Sequence, residues 1–346
     1  MVHMKTKILK LPKISVILIS ILIAVAYMFV SYTGAAICEA LVKVEFSGQY
    51  TYHMLKEGLD AIISILVLWL LGYKFVLRHK GEGILNSIYI GGFLFFYIIS
   101  GLMGNIYGYL ENPPGKICSI GEIAVFTVTM FFIGVSEEVL LRGTILNLLL
   151  ERFSNTRCGI WAAVVIESAI FGALHLANVR IGVELEAACW QAVNAFMIGL
   201  VFSAIYVRCK NIWIPVFLHA AYDFIALMNS GIFGQGTHVD QINNGGGANW
   251  SFYLVMLIVT VILLKKKKAT QTNAVVSVLL GSFSILVSWM GMFWISGVMG
   301  ILAAQTSKGK QENLSKLAKV GLVLSIIGAI LGILFAVGII SCLLYL

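Results

Sequence analysis

The chain has 346 residues, of which 60% are hydrophobic and 12% are charged, and its formal net charge is +8. A soluble globular domain is about 45–50% apolar and about 25% charged, so this composition excludes an ordinary soluble protein. At about 20 residues per bilayer crossing, the apolar content predicts an all-α, polytopic transmembrane helical bundle. The excess of lysine and arginine is interpreted as a topology signal, and nucleic acid is not an expected partner.

The apolar runs divide the chain into three parts. The first run, 14–37, follows four lysines and is interpreted as a retained span rather than a cleaved signal peptide. Seven further runs complete a predicted body of about eight spans over residues 1–264: 58–77, 84–107, 119–150, 159–178, 187–207, 211–230 and 249–264. A basic linker, 265–273, precedes a glycine-rich membrane domain, 274–346, predicted as a helical hairpin of two to three segments.

The basic residues of the body lie on alternate loops. Cytoplasmic loops of membrane proteins carry an excess of Lys and Arg, which predicts a multi-pass cell-membrane protein with a cytoplasmic N-terminus. The loops 38–57, 108–118, 179–186 and 231–248 are mixed, acidic or nearly uncharged, as expected of the other face. The predicted cytoplasmic residues are Lys5, Lys7, Lys10, Lys13, Lys74, Arg78, Lys80, Arg152, Arg157, Arg208, Lys210 and Lys265–Lys268.

The region 274–304 conflicts with this alternation. The lysines at 308, 310, 316 and 319 also look cytoplasmic, yet one span over 274–304 would place them outside. Two interpretations stay open, a re-entrant hairpin that bends near Gly291 and a single tilted helix.

Few ionisable residues lie inside the predicted spans, and each costs about 2.5–3.5 kcal/mol at a span centre. Glu137, Glu138 and Arg142 lie on the fourth span, Glu167 and His175 on the fifth, and His219 and Asp223 on the seventh. Asp60 and Glu122 are set aside as near span ends, and the other four histidines as tail or loop residues.

Helix periodicity assigns partners within this set. Glu138 and Arg142 are four residues apart and share a helix face, which predicts a pair, whereas Glu137 points about 100° away and is left for another helix. His219 and Asp223 have the same spacing, which suits a carboxylate that orients an imidazole. Glu137, His175 and His219 have compatible depths, so they are predicted to meet in one buried cavity.

A glutamate and two imidazoles can activate a water molecule for hydrolysis, with or without a metal. The cofactor stays open between one Zn²⁺, with Glu137, His175 and His219 as candidate ligands, and no metal. The same residues also fit a proton relay of a transporter, although no internal repeat supports that interpretation.

The three motifs resemble those of the CPBP intramembrane proteases, also called Abi or CAAX-processing type 2 proteases. The family pattern E-E-x-x-x-R matches Glu137, Glu138 and Arg142, F-x-x-x-H matches Phe171 and His175, and H-x-x-x-N/D matches His219 and Asp223. The resemblance extends over about residues 55–264, with all motifs within 119–230.

The resemblance implies an intramembrane endopeptidase with a cavity open toward the cytoplasm, which cleaves a peptide or membrane-protein substrate near that face. Glu137 would activate water with help from His175, His219 and Asp223 would stabilise the oxyanion, and Glu138 and Arg142 would hold the site together. Asp223 departs from the commoner Asn, and a carboxylate donates no hydrogen bond to an oxyanion unless it is protonated.

Two further interpretations accompany the resemblance. Phe171 and Glu167 are expected to line the substrate cavity, with pairing to an arginine of another helix as the alternative for Glu167. The alternative function is a non-proteolytic bacteriocin-immunity or scaffold protein that keeps the motifs for structure. The C-terminal region weakly resembles a glycine-rich membrane domain of unknown function that bacteria append to various proteins, and the oligomeric state stays open.

Overall fold

The computed structural model describes residues 2–41, 49–78, 92–113, 116–245, 247–265, 269–286, 294–307 and 313–344. Within these ranges the regular structure is helical and contains no strand. The chain divides into two compact units. Unit 1 comprises Met1–Gly81 and Gly108–Thr260, and unit 2 comprises Glu82–Tyr107 and Val261–Leu346.

The described residues form fifteen α-helices, of which six lie before Arg157, and the fifth and sixth of these are continuous. A π-helical segment, Val139–Leu146, joins them, and a short 3₁₀ turn, Lys74–Leu77, follows the third helix. The helices are α1 Val2–Lys10, α2 Lys13–Leu41, α3 Gln49–Leu70, α4 Gly92–Glu111, α5 Ile120–Glu138 and α6 Asn147–Phe153.

Nine further α-helices follow. A 3₁₀ segment, Leu176–Ile181, extends the first of them. They are α7 Arg157–His175, α8 Leu185–Cys209, α9 Trp213–Ala226, α10 Met228–Gly231, α11 His238–Gly245, α12 Trp250–Leu264, α13 Ala269–Leu286, α14 Trp294–Thr306 and α15 Lys316–Leu344.

Side-chain contacts gather the basic segments of unit 1 at one end, called here the basic end. Lys5 Nζ lies 2.8 Å from Glu151 Oε1, and Arg152 Nε donates to the Leu11 carbonyl at 3.2 Å. The Trp213 indole N–H donates to the Leu77 carbonyl at 3.1 Å. These contacts bring the α1–α2 junction, the Lys74–Leu77 turn, the end of α6 and the start of α9 together.

The other loops of unit 1 meet at the opposite end, called here the mixed end. The Cys118 amide donates to the Ile232 carbonyl at 2.8 Å, and the Glu184 amide donates to Asn243 Oδ1 at 2.9 Å. The His53 ring at the start of α3 contacts His238 of α11, with centroids 4.4 Å apart. The alternation of loops deduced from charge is therefore reproduced as two ends of unit 1.

Small residues allow the helices that carry the motifs to approach closely. A Cβ at Gly134 of α5 would lie 2.6 Å from the Val216 carbonyl oxygen of α9, and one at Gly172 of α7 would lie 2.6 Å from the Ala192 oxygen of α8. These distances are too short for any side chain. Glycine at both positions therefore sets the spacing of the three motif-bearing helices and of α8, which packs against α7.

Six described helices are long and apolar enough to cross a membrane, or seven if the bent pair α11–α12 counts as one span. Two of the eight spans predicted from the sequence, 58–77 and 211–230, are not among these seven. α3 carries Lys56, Glu57 and Asp60 within its length, and α9 has only 14 residues. A polytopic helical membrane protein is confirmed, and the number of eight spans stays a prediction.

In the described part of unit 2, α13, α14 and α15 pack together through small residues. Ser277 and Ser284 of α13 lie against Gly321 and Gly328 of α15, so these two helices run parallel. Gly297 of α14 lies against Ala329, whereas Gly300 lies against Ser325, so α14 runs antiparallel to α15. Small residues at such contacts let membrane helices pack closely.

This arrangement decides between the two interpretations of 274–304. α13 and α14 are separate helices that run in opposite directions, and the Ser277 hydroxyl donates to the Gly300 carbonyl at 2.8 Å. The single tilted helix is wrong, because the chain returns and places residue 307 on the same side as residue 269. The proposed bend near Gly291 lies outside the described residues, and the domain boundary at 265–273 stays a prediction.

Candidate active site

A cavity of about 670 Å³ lies within unit 1, and the motif residues form part of its wall. α5 contributes Glu137, α7 contributes Phe171 and His175, and α9 contributes His219 and Asp223. The predicted convergence of three helices on one cavity therefore holds in the structure.

The His219 ring contacts three carboxylates of the site. Its Nδ1 lies 2.8 Å from Glu138 Oε1, so an N–H at that atom donates to a buried carboxylate. Its Nε2 faces the cavity, 3.5 Å from Glu137 Oε2 and 3.4 Å from Asp223 Oδ2. The sequence assigned the orienting carboxylate to Asp223, but the structure gives the shorter contact to Glu138 on another helix.

The two adjacent glutamates have different surroundings. The Glu138 side chain is fully buried and bonds to Arg142 Nη1 at 2.9 Å as well as to His219. The Glu137 side chain is 31% exposed, and its Oε2 accepts no hydrogen bond from the part of the chain that the structure describes. Glu138 is therefore a structural partner, whereas the partly exposed side chain of Glu137 lines the cavity.

Arg142 lies beneath the cavity in a layer of fully buried charged side chains that also contains Glu138 and Glu167. Its Nη2 donates to the Gly199 carbonyl at 3.3 Å, and its guanidinium lies 4.5 Å from the Phe171 ring centroid. The residue lies in the π-helical segment, where the Thr144 hydroxyl bonds to the Val139 carbonyl and the Asn147 amide bonds to the Arg142 and Gly143 carbonyls. Side chains thus satisfy carbonyls at the point where the helix changes its pitch.

Glu167 does not line the substrate cavity, although the sequence predicted that it would. It is fully buried, lies outside the cavity wall and pairs with Arg142, whose Nε is 3.4 Å from its Oε1. Ser203 and Ser168 donate hydrogen bonds to its other oxygen. The role as a cavity residue is therefore wrong, because the guanidinium draws this carboxylate into the layer below, as the alternative interpretation had it.

His175 is held by its own helix. Its Nδ1 lies 3.0 Å from the Phe171 carbonyl oxygen, and because a carbonyl only accepts, Nδ1 carries the proton. In the neutral ring this leaves Nε2 as an acceptor. The edge of the His175 ring also packs against Phe171, with centroids 4.8 Å apart.

The candidate zinc ligands do not form a metal site here. No group of three His, Cys, Asp or Glu side chains among the described residues is arranged to hold a metal ion. Nδ1 of His219 and Nδ1 of His175 are both engaged within the protein, by a carboxylate and by a carbonyl. Because imidazoles that bind a metal through Nε2 are usually held at Nδ1 in this way, these two contacts fit both a metal-dependent and a metal-free site.

The sequence analysis missed a charged cluster on α3 beside Glu137. Lys56 lies 2.8 Å from Glu57 and 2.8 Å from Asp60, and Ser31 of α2 also donates to Asp60. Lys56 and Glu57 line the cavity together with His53. Setting Asp60 aside was wrong, since it is 2% exposed and lies well inside α3, and His53 is a helical residue rather than a loop residue. The i, i+4 spacing of Lys56 and Asp60 was the available signal.

The cavity extends toward the mixed end, where His53, His238, Gln241 and Gly245 line it. The fully buried Arg142 lies beneath its catalytic residues. The opening toward the cytoplasm that the resemblance implies and the cytoplasmic position of the basic end both stay predictions.

The part of the chain that carries the three motifs is similar to known proteins. A family model described as "Type II CAAX prenyl endopeptidase Rce1-like" matches residues 119–225. The "Putative membrane peptidase YdiL" of Bacillus subtilis (strain 168) is 26% identical over 148 residues, which is 40% of this chain and 54% of that protein. The chain thus spans about half the length of this curated relative, and no solved structure matches it.

All three motifs, from Glu137 to Asp223, lie inside the matched stretch. Residues from all three motifs line one cavity, and all three motifs lie within the residues that match the family model. Residues 119–225 are therefore similar to the Rce1-like family of type II CAAX endopeptidases.

Proposed function

We propose that this protein is an intramembrane endopeptidase in which Glu137 activates the hydrolytic water. The observation that carries the proposal is the Glu137 side chain, which is partly exposed in the cavity wall beside the His219 Nε2. A general base must lie within reach of water, and Glu137 meets that requirement whereas the fully buried, paired Glu138 does not.

In the proposed reaction, Glu137 takes a proton from water while the water oxygen attacks the scissile carbonyl carbon. His175 assists by accepting the second water hydrogen at Nε2, because its Nδ1–H is held by the Phe171 carbonyl. The proton on Glu137 then passes to the amide nitrogen as the carbon–nitrogen bond breaks. The products are a new carboxylate and a new amine.

His219 is the proposed donor to the oxyanion. Glu138 fixes its ring through Nδ1, so Nε2 points into the cavity. A ring with protons on both nitrogens can donate from Nε2 to the tetrahedral intermediate, where preorganised donors have their largest effect. Asp223, at 3.4 Å from the same nitrogen, holds this proton in position before substrate binds.

The test is cleavage of a co-expressed or reconstituted peptide substrate by Glu137→Gln and His219→Ala. Loss of a positioned general base costs about 10²–10⁴-fold in rate, so cleavage by Glu137→Gln falls by at least that lower bound. We expect its folding to be preserved, because glutamine is of similar size and Oε2 accepts no hydrogen bond from the described protein groups. Cleavage that persists in both variants contradicts the proposal.

The non-proteolytic alternative, an immunity or scaffold protein, makes the opposite prediction: both variants protect or assemble normally. The metal alternative has its own measurement. Because no described trio of donors fits a metal, we expect cleavage to survive chelation, with metal content determined on the same preparation. Activity that falls on chelation and returns with Zn²⁺ would establish the zinc mechanism.

A further inference from the structure

We infer that Gln191 and Asn194 of α8, together with Asn178, bind the main chain of an extended substrate segment beside the catalytic residues. The inference rests on the proposed endopeptidase function and adds the conformation of the substrate that the site accepts. Three observations lead to it: the stripe that the two α8 residues form on their helix, its distance from the catalytic residues, and the hydrogen-bonding groups that the three amides leave open.

One face of α8 forms part of the cavity wall. The residues on this face recur at spacings of three and four, which places them along one side of a helix. Gln191 and Asn194 are the polar members of the stripe, although α8 is long and apolar enough to cross a membrane. A polar side chain in such a helix costs free energy unless it is hydrogen-bonded, so the two amides call for partners. The cavity-lining residues of α8 are Ala187, Gln191, Asn194, Ala195 and Ile198.

The stripe ends beside the catalytic residues. A Cβ at Gly199 of α8 would lie 3.0 Å from Phe171 Cδ1, and the Phe171 ring contacts the His219 ring with centroids 5.8 Å apart. At 1.5 Å per residue, Asn194 and Gln191 lie about 8 and 12 Å along the helix from Gly199. An extended peptide rises about 3.3 Å per residue, so both amides lie within about four substrate residues of the scissile bond.

The three amides retain hydrogen-bonding groups that other described residues do not use. The Asn178 side chain donates to Gln191 Oε1 at 2.8 Å, which leaves the Asn178 oxygen and the Gln191 NH₂ group open. The Asn194 side chain forms no hydrogen bond with the part of the chain that the structure describes. A side-chain amide offers a donor and an acceptor, the same two groups that a peptide main chain presents, so each can pair with the other.

Main-chain recognition defines the class of substrate. The N–H and C=O groups of a helix are bonded within the helix, so only an extended or unwound segment presents them to these amides. None of the α8 residues on this face is charged, and the small side chains of Ala187 and Ala195 leave room for those of the substrate. The substrate is therefore a segment that is extended near the scissile bond, with little restriction on its side chains along this wall.

The cavity that contains these amides is larger than a second one that also adjoins Glu137 and His175. Its volume of about 670 Å³ is within the range of about 300–1,000 Å³ that is usual for ligand sites. The second cavity has about 150 Å³ and extends to Tyr27, Leu140 and Leu141. A segment of several residues is therefore assigned to the larger cavity, where the α8 amides lie.

The first experiment separates binding from chemistry in the full chain, reconstituted in proteoliposomes. The probe is a quenched fluorescent peptide that the wild-type chain cleaves, selected from a library. Asn194→Leu and Gln191→Leu remove one amide each at similar size. Because the lost hydrogen bond weakens substrate and transition state alike, we expect KM to rise about three- to tenfold while kcat stays within about twofold.

Val193→Leu is the matched control, since Val193 lies on the same helix, is exposed and does not line the cavity. We expect its KM and kcat to equal those of the wild-type chain. An unchanged KM in both amide variants, or a fall in kcat alone, would overturn the inference.

A second experiment changes the substrate instead of the protein. Single amide bonds of the probe, other than the scissile one, are replaced by esters, which removes one N–H group at a time. We expect the ester at one or two positions within about four residues of the scissile bond to raise KM, and to have no further effect in the amide variant that has already lost the partner. Independent effects of ester and variant at every position would contradict main-chain binding by these amides.

Binding to the Glu137→Gln chain tests the inference without cleavage. The tightest-binding labelled peptide of the same library is titrated and its fluorescence anisotropy is measured. We expect Asn194→Leu, added to Glu137→Gln, to raise Kd about three- to tenfold. An unchanged Kd would overturn the inference, whereas a wild-type chain that binds the peptide through these amides and cleaves none of the library would contradict the proposed function alone.

Discussion

Arg142 shows how one buried charge is stabilised in a membrane helix. It has no exposed surface, and it contacts Glu138, Glu167, the Gly199 carbonyl and the Phe171 ring. Burying a charge is costly unless it is paired and hydrogen-bonded, and here both carboxylates come from motif-bearing helices. The same contacts that satisfy the arginine therefore tie α5, α7 and α8 together beneath the cavity.

We predict that Arg142→Ala destabilises the fold by about 3–5 kcal/mol, because Glu138 and Glu167 would remain buried without their counter-charge. Thermal unfolding of purified protein in detergent measures the change. Arg152→Ala is the control: Arg152 makes a single exposed hydrogen bond to Leu11, so its loss has little effect. An Arg142→Ala protein as stable as this control would contradict the stabilising role of the pair.

Asp223 is the residue at which this chain departs from the commoner family pattern. We predict that Asp223→Asn retains cleavage within about tenfold, because an amide also contacts His219 Nε2 and adds a donor to the cavity. Asp223→Leu, of similar size, loses that contact and is expected to fall by about 10²-fold or more. The rates are compared at saturating substrate, and equal activity of the Leu variant would rule out a polar role here.

The cluster on α3 makes a separate prediction. Lys56→Met leaves Glu57 and Asp60 without their shared counter-charge beside Glu137, so unfolding should become easier by about 1–3 kcal/mol. A variant with Lys56→Met, Glu57→Gln and Asp60→Asn together removes the uncompensated charge and should recover most of that loss. The contrast is read from unfolding temperatures, and a triple variant less stable than Lys56→Met would show that the charges themselves stabilise the fold.

At the scale of elements, the site depends on helix spacing more than on loops. α5 and α9 approach so closely at Gly134 that Val216 and Ala220 leave no space for a Cβ. This approach holds Glu137 and Glu138 of α5 against His219 of α9. The π-helical segment that follows Glu138 has a comparable effect, since it directs Arg142 toward Gly199 on α8.

We therefore predict that Gly134→Ala costs about 1–3 kcal/mol and reduces cleavage more than tenfold, because the new methyl group forces the two helices apart. Gly104→Ala on α4 is the matched control. No atom lies within 4 Å of a Cβ there, and alanine is favoured over glycine in a helix by up to about 1 kcal/mol. Similar losses in both variants would contradict the spacing argument.

At the scale of the whole molecule, the chemistry and the glycine-rich tail are in different units. Every motif residue lies in unit 1, whereas α13, α14 and α15 pack among themselves through serine and glycine. We predict that a chain ending at Lys268 still cleaves its substrate in membranes at a rate within about tenfold of the full chain. The measurement needs equal expression of both chains, and loss of cleavage in correctly inserted truncated protein would assign the tail a role in catalysis.

The sequence by itself determined the membrane setting and the helical class, and it predicted the two sets of loops and the motif residues around the cavity. These follow from local quantities: apolar run length, the position of Lys and Arg, and the four-residue spacings Glu138–Arg142 and His219–Asp223. Each is set within one helix or one loop, so periodicity and composition are sufficient to predict it.

Only the tertiary structure decided which side chains meet across helices. It gave Glu138 rather than Asp223 as the closest partner of His219, moved Glu167 from the cavity to Arg142, and brought the α3 cluster beside Glu137. These outcomes depend on the rotation and separation of neighbouring helices, which glycine contacts such as Gly134 with Val216 set and which no pattern along one helix contains.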